Sequence, residues 1–192
     1  MERLRHDGRL AHLHGGAGRQ VLPFRVAPSG PLEDTAFPYH INQLEGAQSG
    51  QYSDPWNDCG PAALVACRYR LTGELWMPDQ IRDWMYYDGY KGYTTTNRLC
   101  DFARDVWGWW AGDAEMSASE ARALIENRVV KDAFIIILTR EPAGYFHFTP
   151  VTGWDEDEGI VRHNVLGGRR ETLTWDEFYR RFAGWVITLI PA

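Results

Sequence analysis

The run Gln51-Tyr52-Ser53-Asp54-Pro55-Trp56-Asn57-Asp58-Cys59-Gly60-Pro61-Ala62-Ala63-Leu64 decides how this chain is read. Pro61 suits the first turn of a helix, where a missing N–H costs nothing. Behind it follow Val65, Ala66, Cys67, Tyr69 and Leu71, stopped by Gly73. Apolar residues nearly all round the first two turns predict a buried helix. Cys59 stands immediately before it. The free N–H groups and partial positive charge at a helix start favour a thiolate, the reactive form of cysteine. Those N–H groups also face any anion formed there, so they can supply part of an oxyanion hole. Gly60 removes a side chain where a substrate carbonyl would approach. Without any chemistry, Cys59 reads as a buried thiol beside a helix start, with Asp58 as the cap. Asp58 itself opposes thiolate formation, so a reactive Cys59 needs a cationic partner.

Downstream, Pro78 to Tyr87 and Thr96 to Val106 are further helical candidates, the second ending near Gly108. Ser117-Ala118-Ser119-Glu120 fits a capping box, which predicts a helix from Ala118 to Arg128. The pattern then changes. Ala133 to Thr139 is a short β-branched run, read as a buried strand. Phe146 to Trp154 and Gly159 to Val165 flank Asp155-Glu156-Asp157-Glu158, a hairpin with an acidic tip. That tip lacks the length and spacing of a calcium loop and reads as a solvated turn. Thr174 to Glu177 is a second capping box, opening a short helix through Arg181, and Trp185 to Ile190 is a closing strand. Helices followed by an antiparallel sheet predict an α+β fold.

Upstream, residues 1 to 45 differ from the domain expected over 46 to 192. Gly8, Gly15, Gly16, Gly18 and Gly30, with Pro23, Pro28, Pro31 and Pro38, leave no sustained period. They read as an extended arm with one short strand at Val21 to Val26. Such an arm can tether the domain to an assembly partner. His12 and His14 lack the acidic or thiol company of a metal site, and no metal or cofactor is expected.

The 192 residues are 44% apolar and 24% charged, the balance of a soluble globular domain. No apolar run reaches the ~18 residues of a membrane span. No apolar block follows Arg3, Arg5 and Arg9, so no secretory signal is read. The expectation is a cytoplasmic protein, or a virion-associated one if encoded by a phage. A net charge of −6 argues against nucleic acid as a partner, since no basic surplus exists to displace counterions. Cys59, Cys67 and Cys100 cannot all pair, and they lack the C-x-x-C spacing of a zinc site. Cys67 and Cys100 fall on predicted helices and read as packing. Trp84 to Tyr87 and Trp107 to Trp110 either wall a groove or fill the core.

The cation that Cys59 needs is sought in His147, at the head of the strand His147-Phe148-Thr149-Pro150-Val151-Thr152-Gly153. An imidazole can take the thiol proton and, once charged, stabilise the thiolate. With a four-residue tip, Trp154 faces Gly159 and Thr149 faces Asn164. His147 and Asn164 are then diagonal neighbours on one face, roughly 7–8 Å apart at the backbone. Asn164 can accept the Nδ1 hydrogen and leave Nε2 for the thiol. A tip one residue shorter or longer turns Asn164 away and brings His163 in its place.

The element Asp58-Cys59-Gly60-Pro61-Ala62-Ala63-Leu64, the later His147-Phe148-x-x-Val151-x-Gly153, and Asn164 followed by Gly167-Gly168 together resemble papain-clan cysteine peptidases. Within that clan the pattern looks like the double-glycine-leader (bacteriocin-processing) peptidases and their stand-alone relatives. The resemblance covers about residues 48 to 190. It implies a papain-like fold with Cys59 as nucleophile, His147 as base, Asn164 as the residue orienting it and Gln51 completing the oxyanion hole. Asn164-Val165 stands where the family usually has Asp-Pro, although Asn serves in papain itself. Gln51 lies eight residues before Cys59, a slightly longer gap than papain's, and Gln48 competes with it. The activity implied is hydrolysis of a peptide or isopeptide bond through a thioester. Relatives in phages and bacteria suggest a peptide, protein or peptidoglycan stem-peptide substrate. A catalytically silent module that binds peptide, and acyl transfer to an amine, are the competing readings.

Overall fold

The computed structural model describes residues 32–44, 57–86, 93–129 and 133–192. The element order is β1 (Leu32–Glu33), α1 (Cys59–Thr72), α2 (Pro78–Met85), α3 (Thr96–Trp107), β2 (Trp110–Glu115), α4 (Ala118–Arg128), β3 (Phe134–Arg140), β4 (Phe146–Asp155), β5 (Gly159–Asn164), β6 (Arg169–Leu173), α5 (Trp175–Arg181) and β7 (Phe182–Ile190). The strands form one antiparallel sheet in the order β2-β7-β3-β4-β5-β6, with β1 added on β4. The fold is α+β, as the sequence pattern implies.

Helix α1 starts where Pro61 allows it and stops at Gly73, whose φ of 69° a side chain would disfavour. Every residue from Cys59 to Cys67 is buried, which is why the helix shows no polar face there. It packs with α2 and α3 against one face of the sheet, in a core shared with Ile136, Phe148, Ile187 and Leu189. The opposite face carries α4 and α5 over Ile135, Ile137, Val151 and Val186. Strand β3 is covered on both sides, so its run of consecutive β-branched residues follows directly. Both capping boxes form. Ser117 Oγ accepts the Glu120 N–H at 3.3 Å, and Thr174 Oγ1 accepts the Glu177 N–H at 3.2 Å.

Three strands escaped the sequence pattern. β2 and β6 are edges of the sheet with mostly exposed or half-buried residues, so neither carries a hydrophobic alternation. β1 has only two residues. Because β2 precedes α4, the helices do not all come before the sheet. Of the segment read as an arm, residues 32–44 pack on the domain: Phe37 and Ile41 are buried in the core, and the Gln43 N–H donates to the Val165 carbonyl at 2.9 Å. The strand expected at Val21 to Val26, together with His12 and His14, lies outside the described residues.

The β4–β5 hairpin sets the register of the site. Its tip is one residue shorter than expected: Asp155 pairs with Gly159, and Trp154 with Ile160. The Asp157 and Glu158 N–H groups close it by donating to Asp155 Oδ1, each at 2.9 Å. A bulge between Val151 and Gly153 then restores the count, so Val151 faces Arg162. Past the bulge, the Val151–Arg162 rung stands where the four-residue tip would have set it.

Candidate active site

Cys59 is the first residue of α1 and only 9% exposed. The Phe148 N–H, beyond the last rung that β4 shares with β5, donates to its sulfur, and the Gly60 and Cys59 amides also lie against it. Burial pushes the thiol up; the Phe148 and Gly60 amides pull it back, and the charge of Asp58 pushes it up further. Asp58 makes no side-chain cap to the helix. Its Oδ1 accepts from Arg82 Nη1 at 2.5 Å instead, with both side chains buried. Burial, despite the opposing Arg82 charge, raises the Asp58 carboxyl to about 7. Asp58 is therefore a weaker opponent of the thiolate than a free carboxylate would be.

Gly60 has a different reason from the one its sequence position suggests. A Cβ there would meet Thr94 Cγ2 at 2.6 Å and Leu99 Cδ1 at 2.9 Å. Packing against α3 and the segment before it requires the glycine, not the approach of a substrate.

His147 lies on β4, 2% exposed. Its Nε2 is 3.0 Å from Asn164 Oδ1. The Asn164 amide has one orientation: Oδ1 also accepts the Leu166 N–H at 3.0 Å, and Nδ2 donates to Glu171 Oε1 at 2.9 Å. Nε2 therefore carries the ring hydrogen and donates it. Asn164 holds Nε2 rather than Nδ1, the reverse of the expected assignment, and Nδ1 is left with the lone pair. Among the described residues, no hydrogen bond joins the ring to the Cys59 thiol. Both groups line one cleft of about 800 Å³, with Leu138, Tyr145, Phe146, Phe148 and Leu166 on its walls. Burial holds the His147 ring down to about 4, against the Asn164 hydrogen bond that favours its charge. At neutral pH both the thiol and the ring are uncharged.

His163 is on the other face of β5, edge-on to Phe37 and Tyr39 at 5.6 and 5.7 Å between ring centroids. It does not approach the cleft. Gln51 and Gln48 lie outside the described residues. Gln43 and Asn57 line the cleft and were not singled out by the sequence, since neither sits at a recognisable spacing from Cys59. Trp107 and Trp109 pack among Phe102, Trp76 and Phe134, and Trp84 lies against Phe102. They belong to the core and not to the cleft wall. Cys67 and Cys100 are fully buried in that same core.

The fold recurs in solved peptidase structures. One is a double glycine motif protease from an AMS/PCAT transporter, solved in complex with its leader peptide (TM-score 0.52, 16% identity, 70% of this chain and 84% of that one). Another is the peptidase domain of Streptococcus ComA, a bifunctional ABC transporter of a quorum-sensing pathway (TM-score 0.56, 17% identity, 71% and 93%). A third, from Bacillus anthracis, is described as a C39-like peptidase (TM-score 0.57, 13% identity, 84% and 98%). No family model matches the chain, and no curated protein matches its sequence. The chain has the α+β fold of these peptidase domains, and at such identities the fold is what they share.

Proposed function

We propose that this chain is a cysteine peptidase, cleaving a peptide or isopeptide bond through Cys59, His147 and Asn164. One observation carries the reading: Cys59 and His147 line a single cleft, and the ring nitrogen away from the base position is held by Asn164. The likeness in fold to peptidase domains supports it.

In this reading Cys59 Sγ attacks the substrate carbonyl carbon while His147 Nδ1 takes the thiol proton. The resulting oxyanion is held by the Cys59 N–H and the Gln51 side chain. Loss of one such donor costs about 100- to 1000-fold in turnover. His147 returns the proton to the amine nitrogen, which leaves, and a thioester remains on Cys59. Water, deprotonated by His147, then releases the acid. Burial of both groups favours proton transfer at the moment of attack over a standing ion pair. The apolar walls suit an apolar side chain beside the cleaved bond. A leader peptide occupies one of the similar structures, so extended peptides are the first substrates to assay. Peptidoglycan stem peptides, the substrate of a cell-wall or virion-associated hydrolase, are the second.

The test needs no substrate. Iodoacetamide labelling at pH 7 with peptide mapping is expected to modify Cys59 at least ~10-fold faster than Cys67 and Cys100, with the advantage lost in His147→Ala. Three equally slow thiols, or a Cys59 rate indifferent to His147, would refute it. A peptide-binding module without catalysis is favoured by one observation, the absence of a thiol–ring hydrogen bond. It predicts peptide binding with no labelling preference.

A further inference from the structure

The base step creates a positive charge on His147 in a place that disfavours it. Asn164 is neutral and offers that charge only a dipole. Arg162, on the same face of β5 and 1% exposed, repels it. From α1, Cys59 lines the same cleft as the ring, and from the β3–β4 turn the Tyr145 ring lies at 6.1 Å. Glu141 is committed to Arg162 and to Arg181. The carboxylate that remains is Glu171 of β6. Its Oε1 accepts from Asn164 Nδ2 at 2.9 Å and from Arg169 Nε at 2.8 Å, and its Oε2 accepts from Arg162 Nη2 at 2.8 Å. Burial works against its charge, but the bonds from Asn164 and Arg162 outweigh burial and hold it below the usual carboxylate range.

We propose that Glu171 is a positioning residue for His147: a carboxylate set one hydrogen bond behind Asn164, which completes a relay of ring, amide and carboxylate. It accepts an amide hydrogen that Asn164 turns away from the ring. It also supplies the negative charge that the amide lacks, and screens the ring from Arg162. Positions 164 and 171 thus hold one carboxylate between them. A second one at 164 would sit within hydrogen-bond distance of the first and repel it. This inference rests on the peptidase reading for its meaning, but its test does not.

The full chain with Cys59→Ala and labelled histidine rings gives the His147 titration by NMR, with no catalysis required. Glu171→Gln keeps the hydrogen-bond acceptor and removes the charge; it is expected to lower the His147 midpoint by about one pH unit, a tenfold loss of imidazolium at fixed pH. Asn164→Asp combined with Glu171→Gln moves the carboxylate onto the ring and is expected to return the midpoint to the parent value or above. Arg169→Ala, at an arginine 65% exposed, frees Glu171 of a competing cation and is expected to raise the midpoint. A midpoint unmoved by Glu171→Gln, or a double variant that titrates like it, overturns the relay. If Glu171→Gln fails to fold, Arg169→Ala decides, and an unchanged or lowered midpoint overturns the proposal. With Cys59 restored, a wild-type thiol no faster than Cys67 refutes the peptidase reading, while the ring titrations still judge Glu171.

Discussion

Acid should weaken this fold through two histidines, and substituting one of them should remove a known share of the effect. His147 and His163 are both buried, and burial holds each near about 4 against an ordinary value of 6.5. Between those limits the unfolded chain binds a proton at each site and the folded chain does not, so stability falls as pH drops through that window. From pH 7 to pH 5 each histidine costs about 2 kcal/mol. Asp58 acts in the opposite sense. Its carboxyl is raised to about 7 in the fold against 3.8. The folded state takes up that proton first, and stability rises by about 2 kcal/mol over the same interval. From these three groups, the wild type is expected to lose about 2 kcal/mol on going to pH 5. His163→Gln keeps a polar side chain outside the cleft and cannot charge. Its loss should be about 2 kcal/mol smaller than the wild type's, whatever fixed cost the substitution carries at pH 7. Urea unfolding at both pH values reads this directly. With an m-value near ~2 kcal/mol/M, the change in midpoint should differ between the two proteins by about 1 M. Equal losses in both proteins, or a His163 that titrates near 6.5 by NMR, would refute the argument.

Two further outcomes are expected. Gly159 has a φ of 122°, and a Cβ there would come within 2.0 Å of the Leu173 carbonyl oxygen, so Gly159→Ala should lower Tm by roughly 6–12 °C, for a cost of about 3 kcal/mol. A fall below ~3 °C in a calorimetric scan would contradict that geometry. Arg82→Met leaves Asp58 buried without its cation and should cost about 3–5 kcal/mol at pH 8. The cost should shrink at pH 6, where Asp58 holds a proton, and urea titrations that show it constant would remove the charge from the explanation.

What the sequence revealed follows burial. α1 as far as Cys67 and the centre of β3 are legible because they are buried there on every side, and an unbroken apolar run leaves few other solutions. α4 and α5 are legible from their capping boxes, which are local chemistry. β2 and β6 were not, because an edge strand is held by a neighbour's backbone and its exposed side chains carry no pattern. The same division runs through the site. Cys59 announces itself by the helix it begins, and His147 by a strand within reach. Glu171 announces nothing: its place behind Asn164 depends on β6 pairing with β5, where Arg162 faces it. The ring nitrogen given to Asn164 also lay beyond sequence, since it depends on how the amide is turned by Leu166 and Glu171.

The hairpin shows why register is harder to read than strand identity. Moving one residue from a turn into a bulge leaves the rungs beyond it unchanged, so the His147–Asn164 pairing tolerates either arrangement. The choice still matters, because it decides what the extra residue does. At the tip it would be solvated. At the bulge Thr152 is turned to residues 32–44: its Oγ1 lies 2.6 Å from the Tyr39 hydroxyl, and its carbonyl accepts the Asp34 N–H at 2.8 Å. Beside it β1 pairs with Gly153 and Trp154. Tyr39 packs in turn against His163, the residue that would have faced His147 had the register slipped. The bulge therefore joins two requirements in one feature. It keeps Asn164 on the ring, and it gives residues 32–44 a place to lie against the back of the strand that carries that ring.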